Sequence, residues 1–123
     1  NISGLVGLLP YGEYNNGIEL STSNEPYGLS VIYDIKDTDV NATDLKQELY
    51  NNALIIFTLI ENVDNIEFVI NEDANAQSEP SKFNRELIEQ TDIDNLYGYS
   101  KDLETFDNFL YQKVYKSRDT WPN

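Results

Sequence analysis

One apolar stretch is the feature of the sequence that most restricts the fold of this chain. Residues 53–60, with the sequence ALIIFTLI, contain one polar side chain, Thr58, although the chain carries a formal net charge of -14. A helix that crosses a membrane needs about 20 largely apolar residues. Asn52 directly precedes the stretch, and Glu61 and Asp64 follow it closely. The stretch therefore predicts the interior of a folded domain and not a membrane-spanning segment.

A long amphipathic helix is predicted around this stretch. Apolar residues recur at intervals of three or four positions: Leu45, Leu49, Ala53, Ile56, Ile60 and Val63. This spacing places them on one helical face, and the further apolar residues between them indicate that the helix is covered on more than one side. Asn41 is a suitable N-cap, and Asp44 lies where a negative charge meets the positive end of the helix. The helix should therefore be a central element of the core.

Alternating segments on both sides of this helix predict strands. Residues 66–70 (IEFVI) alternate after the helix, and residues 17–23 (GIELSTS) and 27–35 (YGLSVIYDI) alternate before it. The two earlier segments are expected to form an antiparallel hairpin that turns through NEP at residues 24–26. The polar residues 71–81 are expected to form a solvated loop.

Helical patterns follow in the last third of the chain. NRELIEQ at residues 84–90 predicts a short capped helix, and residues 100–116 predict a longer one. The residues expected to face inward on the longer helix are Leu103, Phe106, Leu110 and Val114. We therefore expect a single α+β domain over residues 1–123. Its small antiparallel sheet, a β-hairpin plus at least one further strand, packs on the long central helix, and a C-terminal helical pair completes the domain.

Charge and composition exclude several classes of function. With 22 acidic and 8 basic residues, the chain would be repelled by nucleic acids and by anionic lipid surfaces, whereas cationic ligands would be attracted. Cys and His are both absent, which removes thiolate nucleophiles, disulfides, the usual zinc ligands and the imidazole base. We therefore expect no cofactor, no nucleic-acid partner and none of the common hydrolase mechanisms.

The spacing of one acidic segment is similar to that of a calcium-binding loop. Asp37, Asp39 and Asn41 occupy alternate positions, and Glu48 lies where a twelve-residue loop has its bidentate carboxylate. Ala42 occupies the position where the sharp turn of such a loop requires glycine. The same residues are explained by a solvated turn followed by an acidic helix N-terminus, so calcium binding is the alternative and not the main hypothesis.

Pairs of neighbouring carboxylates raise the hypothesis of an acid–base hydrolase. Asp92 lies near Asp94 and Asp102 near Glu104 in the sequence. Glycosidases need two carboxyl groups about 5 to 10 Å apart across a substrate cleft. In a chain with 22 acidic residues some close pairs are unavoidable. The prediction is therefore that the protein is not an enzyme.

Two turn-rich segments with tyrosines are the candidate ligand-binding residues. PYGEYNNG contains Tyr11, Glu13 and Tyr14, and EPYG contains Pro26 and Tyr27. Tyrosine offers a large contact area with a polar tip, so two such loops at one end of the hairpin would form a recognition surface. The competing interpretation is that these residues turn the chain and pack at the edge of the helix.

Four phrases carry a resemblance to a known family. They are LLPYGEY (8–14), EPYGLSVIY (25–33), NNALIIFTLIENVDNIEF (51–68) and YSKDLETF (99–106). In this order they resemble the bacterial family catalogued as domain of unknown function 4825. The resemblance implies a Gram-positive bacterium and export as part of a small lipoprotein or attached to a membrane protein, in some cases similar to peptidase-type antibiotic sensors. It implies no catalytic residue.

These observations together favour a non-catalytic, extracytoplasmic ligand-binding or sensing module. Its partner would be a small molecule, a peptide or a protein, and this segment would not insert into a membrane. Because the chain neither begins with Met nor contains one, we expect a processed or trimmed segment. Anchoring to the cell membrane would then depend on a segment outside this chain.

Overall fold

A computed structural model describes residues 2–21, 27–36, 42–71 and 79–115. Its helices and strands are α1 (Ile2–Leu8), β1 (Asn15–Ser21), β2 (Tyr27–Asp34), α2 (Ala42–Leu59), β3 (Val63–Asn71), β4 (Ser81–Asn84), α3 (Arg85–Thr91) and α4 (Leu103–Phe109). Short 3-10 turns lie at Gly12–Tyr14 and Leu96–Ser100, and a π turn continues α4 at Leu110–Val114. The predicted turn at 24–26, the predicted N-cap Asn41 and most of the predicted loop at 71–81 lie outside the described residues.

The sheet has four strands in the order β1-β2-β3-β4. The predicted α+β class, the antiparallel hairpin of β1 and β2 and the C-terminal helical pair are confirmed. The sheet is mixed, however, and not wholly antiparallel as expected, because β2 and β3 are parallel whereas β3 and β4 are antiparallel. The helix α2 connects β2 to β3, and a crossover of this kind returns the chain so that the next strand runs in the same direction.

One face of the sheet packs on α2. Buried residues of β2 and β3 lie opposite one another in the pairs Leu29 with Ile66, Val31 with Phe68, and Tyr33 with Ile70. The ring of Phe68 lies 5.9 Å from the ring of Tyr33 and 5.9 Å from that of Phe83 in β4, between centroids. Phe83 in turn contacts Tyr50 of α2 at 5.7 Å. A continuous aromatic layer therefore joins four elements of the core, the strands β2, β3 and β4 and the helix α2.

The apolar stretch of α2 is interior, as predicted. Residues 53–58 are all buried, and Thr58 satisfies its hydroxyl within the helix by donating to the carbonyl of Leu54 at 2.8 Å. Only the end of the stretch reaches solvent, because Leu59 is 38% exposed. None of the helices in the described ranges has the length and hydropathy required to cross a membrane.

The inward face predicted for the last helix is only partly correct. Val114 is buried, and Phe106 and Leu110 are partly buried against the core, but Leu103 is 75% exposed. Phe109, which was not predicted to face inward, is buried. Leu103 is the first residue of α4, directly after Asp102, whose carboxylate caps the helix by accepting from the backbone N–H of Thr105 at 2.7 Å. The first turn of α4 therefore lies at the surface, and the residues after it pack into the core.

A buried arginine joins the end of α2 to the start of β3 and to α3. The Nη2 group of Arg85 donates to the carbonyls of Ile60 at 2.7 Å and Val63 at 2.8 Å. Its Nε group donates to Oδ1 of Asp64 at 2.8 Å, and its guanidinium carbon lies 5.0 Å from the centre of the Phe57 ring. One side chain therefore binds a backbone carbonyl just after the end of α2 and another at the start of β3.

The close approach of two backbone segments at Gly12 leads to a first prediction. A Cβ atom at Gly12 would lie 2.3 Å from the carbonyl oxygen of Gly7, whereas a Cβ at Gly7 meets no atom within 4 Å. Gly12→Ala is therefore expected to destabilise the domain by about 1–3 kcal/mol, because the backbone must move to relieve the overlap. Gly7→Ala serves as the control and is expected to leave stability unchanged or slightly raised. Equal melting temperatures for the two variants would show that this contact is not a constraint.

Candidate functional site

A groove with a volume of about 410 Å³ lies on the sheet face opposite α2. This volume falls in the range of small-molecule sites, about 300–1,000 Å³. Strand residues contribute most of the lining, with Leu87 of α3 at one edge: Ser21, Gly28, Leu29, Ser30, Asn65, Ile66, Glu67, Lys82, Phe83 and Asn84. The side chains of Leu29 and Ile66 are buried on the α2 side, so the polar residues that alternate with them face the groove.

The first polar row crosses all four strands. Ser21 pairs with Gly28, Gly28 with Asn65, and Asn65 with Asn84 in the register of the sheet. Gly28 has no side chain and therefore leaves a gap between Ser21 and Asn65. A Cβ atom at Gly28 would lie 3.8 Å from Cβ of Ser21 and 4.0 Å from the carbonyl oxygen of Asn65, which is ordinary contact. The gap is consequently space that a side chain could fill without strain.

The second polar row lies two residues further along the strands. Ser30 pairs with Glu67, and Glu67 pairs with Lys82. The hydroxyl of Ser30 donates to Oε1 of Glu67 at 3.0 Å. The carboxylate of Glu67 is therefore positioned by a neighbouring strand, and its second oxygen is left for other partners.

Two amide side chains at the groove are joined by a hydrogen bond. Nδ2 of Asn84 donates to Oδ1 of Asn65 at 2.8 Å, and Oδ1 of Asn84 accepts from the backbone N–H of Leu87 at 2.9 Å. The N–H donors of Asn65, Oε2 of Glu67 and the ammonium of Lys82 have no partner among the residues that the structure describes. These groups are two kinds of donor, the amide of Asn65 and the ammonium of Lys82, and one acceptor, the carboxylate of Glu67.

The groups in the groove can form hydrogen bonds and charged contacts with a polar ligand. Glu67 is the one carboxylate in the described lining, and Glu19, which pairs with Ser30 in the same row, lies outside that lining. Within the described ranges, no three His, Cys, Asp or Glu side chains converge in a way that could hold a metal ion. The lining can orient a polar ligand through hydrogen bonds and charge, while Leu87 offers an apolar contact at the edge.

The tyrosine-rich residues predicted to bind a ligand are divided between two places. Tyr11 and Tyr14 lie together, with ring centroids 6.3 Å apart, and both pack against the core. Tyr11 adopts a left-handed backbone with φ of 66°, and Glu13 is exposed in the short 3-10 turn that follows. These three residues lie just before the start of β1, whose first residue, Asn15, pairs with Tyr33.

Tyr27 lies at the opposite end of this strand pair. It precedes Gly28, which pairs with Ser21, and its backbone N–H donates to the carbonyl of Asn62 at 3.2 Å. Tyr27 therefore does not lie at the same end of the hairpin as Tyr11, Glu13 and Tyr14, because the antiparallel register separates it from them by the length of the strands. Pro26 lies outside the described residues.

All four carboxylates considered for a hydrolase, Asp92, Asp94, Asp102 and Glu104, lie outside the groove, and two of them make structural contacts. Asp92 accepts a hydrogen bond from the hydroxyl of Tyr50. Burial raises the pKa of Tyr50, and the neighbouring carboxylate raises this pKa further. The helix-capping bond from Thr105 lowers the pKa of Asp102. None of these residues lines the groove.

The calcium hypothesis concerns residues that are mostly outside the described part. Asp37, Asp39 and Asn41 lie there, and Glu48 lies on α2. Calcium binding by these four residues stays a prediction.

Sequence reasoning missed the groove although part of its signal is visible. Ser30 and Glu67 are polar residues within otherwise apolar strands, and Gly28 interrupts a strand pattern, which suggests close backbone approach or missing bulk. What the sequence does not show is that these positions are neighbours, because this depends on the parallel pairing of β2 with β3.

The fold and the groove define a small two-layer α+β domain with a polar depression on the open face of its sheet. A family model described as Domain of unknown function (DUF4825) matches residues 1–84, and the chain belongs to this family. The matched segment contains all four strands and every lining residue of the groove except Leu87. No curated protein and no solved structure gives a significant match.

Proposed function

We propose that this domain is a non-catalytic ligand-binding or sensing module and that the groove on the open sheet face is its ligand site. The observation that carries the proposal is the convergence of polar side chains from four strands around the gap at Gly28. A concave site with a few converging polar groups is the usual form of a small-molecule site. An extracytoplasmic location in a Gram-positive bacterium belongs to the same proposal and is supported by the family resemblance alone.

The groups in the groove support recognition of a polar ligand. Glu67 is held by Ser30, and Asn65 is held by Asn84, so both side chains are oriented before a ligand arrives. Orientation in advance reduces the conformational entropy that binding would cost. A rigid sheet carries both residues, which keeps the distances between them constant.

Filling the gap at Gly28 tests this proposal. Gly28→Val is expected to fold normally, because a Cβ at this position makes only ordinary contacts and valine favours strands. The added side chain would occupy part of the groove and weaken binding at least tenfold. Gly7→Val is the matched control, since Gly7 lies on the exposed side of α1 with no atom within 4 Å of the added Cβ.

The measurement is protein NMR with a panel of small polar probes, consisting of amino acids, short peptides, monosaccharides and alkylammonium salts. At least one probe is expected to shift the amide signals of Gly28, Ser30, Asn65 and Glu67 in the wild type and in Gly7→Val. The shifts should be lost in Gly28→Val. If no probe shifts these signals, or if Gly28→Val binds as the wild type does, the groove is not the ligand site.

A further inference from the structure

We infer that the groove binds short peptides with free termini, with the ligand ammonium at Glu67 and the ligand carboxylate at Lys82. This inference rests on the proposed function of the groove and names its ligand class. It is carried by two opposite charges that lie side by side in one groove. Glu67 and Lys82 are direct partners in the register of β3 and β4.

Within the described residues, the two opposite charges are not joined by an ion pair. In the described part of the chain the ion pair within 4.0 Å is that of Arg85 with Asp64, and Glu67 and Lys82 form none. Neighbouring strands lie about 4.7–4.9 Å apart, so the two charged groups start from adjacent positions on the wall of the groove. A ligand that carries both an ammonium and a carboxylate a few ångströms apart complements this pair.

The carboxylate of Glu67 is oriented so that it can accept a hydrogen bond from a ligand. Its Oε1 already accepts from Ser30, which fixes the plane of the group and leaves Oε2 for the ligand. Hydrogen bonds between charged partners are stronger than neutral ones, so an ammonium is the donor that gains most here. The net charge of -14 also attracts the ammonium end of the ligand, and it repels anionic ligands such as phosphates.

The amide of Asn65 can contact a carbonyl oxygen of the ligand. Asn65 lies two residues before Glu67 on β3, beside the charged pair and not between its members. Its N–H donors have no partner in the described part of the chain, and a peptide carbonyl would accept from them. Gly28 leaves room for a small ligand side chain, and Leu87 offers an apolar contact beside it. An extended peptide spans at most about 3.3–3.6 Å per residue, so two or three residues can reach from one charge to the other.

The test uses L-alanyl-L-alanine, its N-acetylated form and its C-amidated form, with affinity measured by NMR titration. Each cap is expected to weaken binding to the wild type about tenfold or more, because one charge-assisted contact is lost. In Glu67→Gln, N-acetylation should cost nothing further while amidation still does. In Lys82→Gln, amidation should cost nothing further while N-acetylation still does. Glu104→Gln and Lys101→Gln are the controls, since both residues are exposed and lie outside the groove.

The outcomes separate the inference from the proposed function. If the caps weaken binding equally in all variants, or have no effect, the assignment of the termini to Glu67 and Lys82 is wrong. If other polar probes shift the groove signals but the dipeptide does not, the groove is a ligand site for a different class and the inference fails alone. If nothing shifts these signals, both fail.

Discussion

An Arg85→Met variant is expected to have a free energy of unfolding about 3 kcal/mol lower than the wild type. Methionine keeps much of the aliphatic volume but removes the guanidinium, which donates to the carbonyls of Ile60 and Val63 and to Asp64. Buried acceptors that lose their donor cost free energy, and bonds to charged groups contribute more than neutral ones. The Asp64 side chain is 38% exposed and can return to water, so the loss at the carbonyls should dominate.

Chemical denaturation followed by circular dichroism measures this difference. Lys46→Met is the matched control, because Lys46 is an exposed cation of α2. It should change the free energy of unfolding by less than about 0.5 kcal/mol. Were the two variants equally stable, the arginine network would not be a determinant of the fold.

A Phe68→Ala variant is expected to show a second large loss, about 4 kcal/mol. Phe68 is fully buried at the centre of the sheet, and its ring contacts the rings of Tyr33 and Phe83. Removing the ring leaves a cavity and breaks the aromatic layer that joins three strands. Since natural domains are stable by only about 5–15 kcal/mol, a substantial part of the total would be lost.

A second variant keeps this prediction testable if Phe68→Ala does not fold. Phe68→Leu should lose less, about 1–2 kcal/mol, because more of the volume remains. Tyr111→Ala is the surface control, since Tyr111 is 59% exposed. Thermal unfolding should place the variants in the order Tyr111→Ala, Phe68→Leu, Phe68→Ala from most to least stable. A different order would show that the sheet centre tolerates loss of this ring.

The sequence predicted most of the fold but not the candidate site. The tyrosines at Tyr11 and Tyr14 were noticeable because turn residues surround them, yet they pack against the core. Ser30, Glu67 and Lys82 attract no attention singly, since polar residues on the solvent side of a strand are common. Their importance as a group depends on their being neighbours in space, and three different segments of the chain supply them.

Local patterns were sufficient to predict the central helix and the first three strands. The apolar stretch 53–60 and the spacing around it predicted a central helix, and alternation predicted β1, β2 and β3, because periodicities of 3.6 and 2 follow from backbone geometry alone. The short strand β4 was not predicted. With four residues, it shows too few alternations to stand out from the loop before it.

The sequence by itself determined the α+β class and the long buried helix, the absence of thiol and imidazole side chains, and which face of each predicted strand is apolar. The tertiary structure decided that β2 and β3 are parallel and that Arg85 donates a hydrogen bond to the carbonyl just after α2. It also decided that polar residues of four strands meet around Gly28. The physical reason is that burial patterns are local properties of a segment. Strand direction and register depend on how distant segments pair, and a shift of one residue would exchange the two faces of a strand.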